Sequence, residues 1–252
     1  MWSLGITDAS GRRYSIDPRD GVIGRLLFLE GAFDAEPVDA AVRALGAEGF
    51  VPDQIIDVGA NIGTVTVELL RRYPAATAAA FEPDPDNCRL LRQNLVANEL
   101  LDRSTVFQVA LSDTDGIVVL ERSPDNFGDH TVRSGGGAGT GVTLPVEAVR
   151  LEALLATGAL ALGERVLTKL DVQGHEGHVL TAARPLLEHP LAVEFWPHGL
   201  RRSGGFDRFL QAIEAYSAVV VLGPERRTVR VDDLRAMSAG LGLGHVDLLA
   251  VP

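Results

Sequence analysis

The chain has 252 residues, 46% of them hydrophobic and 23% charged, enough for the core of one large α/β domain and unlike the composition of long disordered tracts. No run approaches the roughly 18 uninterrupted apolar residues that span a bilayer. The first residues also lack the basic-then-apolar order of a signal peptide, so a cytoplasmic protein with no membrane partner is expected. The formal charge of −11 opposes binding to a phosphate backbone, which argues against nucleic acid and for a small-molecule partner.

The first fifty residues carry no strand-and-glycine signal beyond a predicted helix at Val38 to Leu45, and read as a cover or substrate-pocket segment preceding a domain at 51–252. From there the apolar runs set a βαβα rhythm. Ile55 to Val58 is the first strand, Ile62 to Arg72 a helix, and Ala78 to Phe81 the second strand. A second helix is predicted from Pro85 to Asn98, started by Asp84 as cap and Pro85 in the first turn. Thr105 to Ala110 is the third strand. An insertion at about 116–149 follows, with extended segments at Gly116 to Glu121 and Val142 to Val149 around a glycine-rich tip, Ser134 to Gly141, expected to be mobile. Beyond it come a short helix at Leu151 to Thr157, a fourth strand at Arg165 to Leu170, a helix at Glu176 to Leu187 and a fifth strand at Leu191 to Phe195. Trp196 to Gly205 reads as a loop, Asp207 to Tyr216 as a helix, and Ala218 to Leu222 and His245 to Val251 as the last two strands.

The most informative segment is Ile55 to Gly63 (IIDVGANIG), where a strand turns into a helix. Glycines there let the backbone approach a ligand, and the helix N-terminus faces an anion. That anion is a pyrophosphate in a nicotinamide-dependent oxidoreductase and the methionyl carboxylate in a methyltransferase. The GxxxG spacing of Gly59 and Gly63, and Asp57 placed to face the positive end of a methionyl group, favour the second; Ala60 and Asn61 complete the turn. Glu82, followed by Pro83 at the end of the second strand, is positioned to accept from both ribose hydroxyls of any adenosine cofactor. After the third strand, Leu111 could pack on an adenine ring while Ser112 and Asp113 meet its edge.

Taken together, IIDVGANIGTVT, FEPDPDNCRLLRQNL, VALSD and LTKLDVQGHEGHVL resemble the FkbM-type S-adenosylmethionine-dependent methyltransferases, with matching motifs from about Asp57 to Trp196. The resemblance implies a Rossmann-like class I methyltransferase fold, a seven-stranded, mostly parallel sheet with an antiparallel last strand. It also implies S-adenosyl-L-methionine as cofactor and methylation of a hydroxyl oxygen on a small or sugar-bearing metabolite. N- or carboxyl-methylation, and a non-catalytic cofactor-binding role, are the competing readings. One departure stands out: the family pattern commonly reads DVEG where this chain has Asp171-Val172-Gln173-Gly174.

Ligands of an open α/β sheet lie at the carboxyl ends of its strands, which singles out Lys169, Asp171, His175 and Glu194 as catalytic candidates, with Trp196 and His198 lining the acceptor pocket. Strand alternation puts Lys169 and Asp171 on one face. Lys169 is the only lysine among 23 basic residues. Asp171 is the first choice to orient the acceptor or take its proton, and His175 is the best single general base by intrinsic pKa. Asp171, Glu194 and a histidine could supply hard ligands to a divalent ion, but no metal is assigned. Cys88 reads as packing, and His130, His178, His189 and His245 belong to no constellation in the sequence. A homodimer is the assembly entertained.

Overall fold

A computed structural model describes residues 3–8, 10–30, 35–133, 141–223 and 226–252. Most of the glycine-rich tip, residues 134–140, lies outside the described residues. Strands β1 (Leu4–Thr7) and β2 (Arg13–Ile16) form an antiparallel hairpin, followed by helices α1 (Ile23–Glu30) and α2 (Ala35–Ala47). Then β3 (Gln54–Val58), α3 (Thr64–Arg72), β4 (Thr77–Phe81), α4 (Pro85–Ala97) and β5 (Ser104–Phe107) alternate. A second sheet comprises β6 (Ala110–Leu111), β7 (Gly116–Arg122), β8 (Thr131–Val132) and β9 (Val142–Val149) in the order β6-β9-β7-β8. The chain continues through α5 (Leu151–Ala156), β10 (Val166–Leu170), α6 (Glu176–Thr181), β11 (Leu191–Phe195), α7 (Pro197–Ser203) and α8 (Phe206–Ile213). It ends with β12 (Ala218–Val221), β13 (Arg227–Val229), α9 (Val231–Gly240) and β14 (Val246–Val251).

The main sheet runs β13-β12-β14-β11-β10-β3-β4-β5. Strands β11, β10, β3, β4 and β5 pair in parallel, and β14 lies antiparallel between β11 and β12. This is the expected Rossmann-like α/β sheet with an antiparallel last strand, widened from seven to eight strands because β13 adds antiparallel to β12 at the edge. Its central strands are apolar on both faces, as parallel strands covered on both sides must be. Ile55, Ala78, Ala80 and Leu167 pack with α3, α4 and the N-terminal Tyr14, Ile16 and Leu45. Ile56, Ala79, Phe81 and Leu170 pack on the other side with residues of α6, α8 and α9.

Several sequence expectations shift. The third strand divides: Phe107 pairs with Phe81 in the main sheet, their rings stacked 4.8 Å apart, whereas Ala110 and Leu111 pair with β9. The helix expected from Glu176 to Leu187 stops at Thr181 and gives way to a 3₁₀ segment at Arg184–Glu188, since Pro185 cannot continue an α-helix. Trp196 to Gly205 contains helix α7 rather than a loop. The hairpin β1–β2, α1 and α9 were not legible in the periodicity. By contrast α4 begins as expected, with the Asp84 carboxylate accepting from the Asp86 and Asn87 N–H groups and Pro85 in the first turn. No helix among the described residues is long and apolar enough to cross a membrane.

Candidate active site

The carboxyl ends of β3, β4, β10 and β11 open into a cavity of about 510 Å³, within the ~300–1,000 Å³ range of small-molecule sites. Gly59, Ala60, Asn61, Glu82, Pro83 and Leu111 line one end, and Lys169, Asp171, Glu194, Trp196, His245 and Asp247 line the other. Ile23 and Val38 bring the first fifty residues into its wall, and Asn126, Phe127, Gly128 and His130 bring in the insertion.

At the first end, Gly59 and Ala60 donate to the carbonyl of Phe81, both at 3.0 Å, which folds the turn back over β4. Asn61 adopts a left-handed conformation, φ 51°, and its N–H donates to Glu82 Oε2 at 2.9 Å. The Asp84 N–H donates to Glu82 Oε1 at 2.8 Å. Both carboxyl oxygens of Glu82 are thus fixed by backbone, yet burial pushes the group up to about 8 against those two donors. The first turn of α3 receives no side-chain cap from Gly63, and Thr64 and Val65 line the cavity.

Two glycines serve a purpose different from the one expected of them. At Gly59, φ 80°, a Cβ would overlap the carbonyl oxygen of Asp171, and at Gly63, φ 87°, it would press on Leu91 Cδ1 at 2.5 Å. The close approaches they permit are therefore to β10 and α4. Asp57 is also displaced from its expected role. It is fully buried beneath the turn, accepts from Thr66 Oγ1 and lies 3.8 Å from Lys169 Nζ, outside the cavity wall.

The adenine-edge assignment of Ser112 and Asp113 is corrected as well. Neither lines the cavity. Asp113 pairs with His178 at 3.2 Å and with Arg208, and although burial works the other way these bonds hold its carboxyl below the ordinary range. Ser112 Oγ meets His175 Nε2 at 3.0 Å. His175 stacks on His178 at 4.5 Å, burial depresses it to about 4, and its Nδ1 has no hydrogen-bond partner among the described residues. It is neutral at pH 7 and a poor proton acceptor.

The second end is a carboxyl-rich wall. Lys169 Nζ lies 3.5 Å from Asp171 and donates to the Gly59 carbonyl at 3.1 Å, so it joins the two ends of the cavity. Gln173, at φ 54°, donates from Nε2 to Asp171 Oδ1 at 2.9 Å. The loop that carries them is stapled by Glu176, fully buried, whose Oε1 accepts from the Val172 and Gly174 N–H groups at 3.0 and 3.1 Å. Glu194 stands opposite Asp247 in the β11–β14 register and 3.4 Å from His245 Nδ1. Burial, with Asp171 adding repulsion, pushes Glu194 up to about 9, and burial raises Asp247 too. Trp196 lines the wall and donates to the Leu243 carbonyl at 2.9 Å. His198 is exposed and lies outside it. His130, His245 and Asp247 line the cavity although no pattern in the sequence marks them. Among the described residues no group of three or more His, Cys, Asp or Glu side chains converges as a metal site.

The state of Glu194 has a measurable consequence. The folded protein keeps a proton that the unfolded chain releases near 4.5, so stability is present below that pH and falls as pH rises to about 9. In Glu194→Gln the Tm advantage over the unsubstituted protein is therefore expected to widen between about pH 4.5 and about pH 9. A difference that stays flat across that window in thermal melts would show Glu194 to be ionised.

Comparison with known proteins fits this geometry. The model of the methyltransferase FkbM domain matches residues 57–216. The methyltransferase sdnD of Sordaria araneosa is 33% identical over 176 residues, 58% of this chain and 68% of that protein. Two matches span about a quarter of either partner. The 2-O-methyltransferase NoeI of Sinorhizobium fredii is 39% identical over 66 residues, 26% of each chain. The 31-O-demethyl-FK506 methyltransferase FkbM of Streptomyces tacrolimicus is 38% identical over 73 residues, 29% of this chain and 27% of that one.

Proposed function

The chain belongs to the FkbM methyltransferase family, whose methyl donor is S-adenosylmethionine, and from that premise we propose that it methylates a hydroxyl oxygen on a small-molecule acceptor. The observation that carries the reading is that one continuous cavity is lined both by the Glu82 cradle and by the wall of Asp171 and Glu194. The donor's chemistry fits the first end. An uncapped helix N-terminus at Thr64 and Val65 suits a carboxylate. Glu82 retains acceptor capacity for a ribose diol beside its two backbone bonds, and Phe81, Val109 and Leu111 offer apolar surface to a purine. The names of the two partial relatives, both O-methyltransferases, support oxygen as the acceptor atom.

S-adenosylmethionine supplies an electrophilic methyl group. This chain supplies alignment and proton handling, and alignment with exclusion of water can carry much of such a displacement. Asp171, at the mouth of β10 and partly exposed to the cavity, takes the proton of the acceptor hydroxyl. Lys169 and Gln173 fix its two oxygens, one each. Glu194, protonated, donates to a polar group of the acceptor, and Trp196 gives the space an apolar side. Ile23 and Val38 make the 1–50 segment a wall of that pocket ahead of the 51–252 domain.

Titration calorimetry with S-adenosylhomocysteine tests the cofactor end. Binding is expected for the unsubstituted chain, and Glu82→Gln should weaken it about 2- to 10-fold, the worth of a hydrogen bond between neutral groups, since burial keeps Glu82 largely protonated near pH 7. Tight NAD binding with none for S-adenosylhomocysteine would overturn the reading. Transfer of labelled methyl from S-adenosylmethionine into a metabolite extract, with the product shown to be an ether rather than an amine or ester, tests the acceptor atom.

A further inference from the structure

The insertion contributes a closed loop, Ser123 to His130, that lies across the cofactor end of the cavity. Its ends are tied to each other by the Ser123 N–H, which donates to His130 Nδ1 at 3.1 Å. Asn126 organises its interior, its N–H donating to Ser123 Oγ at 3.3 Å and its Oδ1 accepting from the Gly128 N–H at 3.0 Å. A loop of this length with joined ends is an Ω-type unit able to move as one body.

What holds it down is polar. Asn61, from the β3–α3 turn, and Asn87, from α4, both donate through Nδ2 to a single carbonyl, that of Phe127, at 2.8 and 3.0 Å. Two donors fill both lone pairs of that oxygen. The only other backbone tie across the loop's body is the Gly21 N–H to the Asp125 carbonyl at 2.9 Å, among the described residues. Phe127 belongs to none of the buried apolar clusters, and Arg19 lies over its ring at 5.8 Å. A segment held by hydrogen bonds and little apolar burial sits at the low end of local stability.

Asn61 gives the clamp its link to ligand binding. Its backbone N–H holds Glu82 while its side chain holds the strap, so one residue touches both the group that faces the ribose and the loop that covers it. The opposite end of the cavity has its own exposed rim at Leu243 and His245, while Asp129 of the strap lies close enough to Asp171 and Arg202 to feel their charges.

We propose that Asn61 and Asn87 are positioning residues that clamp the 123–130 strap over the cofactor end of the cavity, and that strap opening gates cofactor exchange. The proposal rests on the cofactor reading given above. Asn61→Gly tolerates φ 51° and keeps the N–H that holds Glu82, but it also removes the Oδ1 that accepts from the Ile62 N–H at 2.6 Å, so Asn87→Ala is the cleaner probe. Asn87→Ala removes the second donor.

The test is rapid-mixing kinetics of S-adenosylhomocysteine on the full chain. Each variant is expected to raise both the association and the dissociation rate, by about 2- to 10-fold per hydrogen bond lost, and the double variant more. The dissociation constant should move less than either rate. Dissociation that quickens while association stays unchanged would mark damage to the pocket and overturn the gate, as would unaltered rates. Hydrogen exchange on the unsubstituted protein gives a second readout, independent of how the variants fold. The amides of Asn126, Gly128 and Asp129 should exchange faster than those of α4 and slow when S-adenosylhomocysteine is added. Strap amides as protected as α4 without ligand would overturn the proposal. An unsubstituted chain that binds no S-adenosylhomocysteine overturns the cofactor reading itself, and the gate with it.

Discussion

Asp171→Asn is expected to lower kcat by about 10²- to 10⁴-fold, the usual worth of a positioned proton acceptor, and to leave the affinity for S-adenosylhomocysteine within about threefold, the pattern of a contact made only in the transition state. The amide keeps the size of the side chain and can still accept from Gln173 Nε2, now at 2.9 Å, so the loop has no reason to rearrange. What it loses is the capacity to take a proton. The cradle is built from Glu82, Asn61 and the start of α3, none of which bonds to the Asp171 carboxylate, so cofactor binding should survive. His175→Ala is the control. Its ring is buried against Ser112 and His178 and depressed to about 4, so its loss should cost turnover less than Asp171→Asn. Steady-state rates with the acceptor identified by label transfer decide between them. A larger loss in His175→Ala would return the proton-accepting role to the histidine, and full turnover in Asp171→Asn would remove it from the carboxylate.

The sequence made the parallel half of the sheet legible because its strands are apolar on both faces and bounded by glycine and acidic residues. Leu191 to Phe195 matches the observed strand end to end, as does Val142 to Val149 in the second sheet. Strand alternation and the position of strand ends, which follow from backbone geometry alone, also put Glu82 and the Lys169-x-Asp171 pair where the cavity opens. What it missed depends on long-range register. Asp247 enters the site only because β14 runs antiparallel beside β11 and sets it opposite Glu194, and His245 follows from the same pairing. His130 reaches the cavity through a loop with no periodicity to read. Ser112 and Asp113 misled for the opposite reason. They follow the third strand in sequence, but the chain leaves the main sheet after Phe107, and the two side chains turn to His175, His178 and Arg208.

The same contrast between sequence pattern and packing governs the cradle glycines, and it leads to the second large effect. Gly59→Ala is expected to destabilise the fold by about 3 kcal/mol or more, combining ~1–2 kcal/mol for an L-residue in the left-handed region with ~1–3 kcal/mol of overpacking. Overpacking is unavoidable here because the obstacle is the Asp171 carbonyl, a backbone atom held in place by the Asp171 N–H, which donates to the Val58 carbonyl at 3.0 Å. Relief requires β3 and β10 to part just beyond the end of their register, which runs from Gln54–Val166 to Val58–Leu170. Such a shift moves the cofactor turn and the proton acceptor together, since Gly59 and Asp171 touch. Gly63→Ala faces the same unfavourable φ but meets the end of the Leu91 side chain, which can rotate, so it should cost about 1–2 kcal/mol. Urea or thermal unfolding of the two variants measures the difference. A Gly59→Ala protein as stable as Gly63→Ala would mean that the β3 turn and the β10 loop do not touch as closely as the fold requires. A Gly59→Ala protein that stays folded should still lose turnover, because this contact, together with the Lys169 bridge between the Gly59 carbonyl and Asp171, spaces the proposed cofactor turn from the proposed proton acceptor.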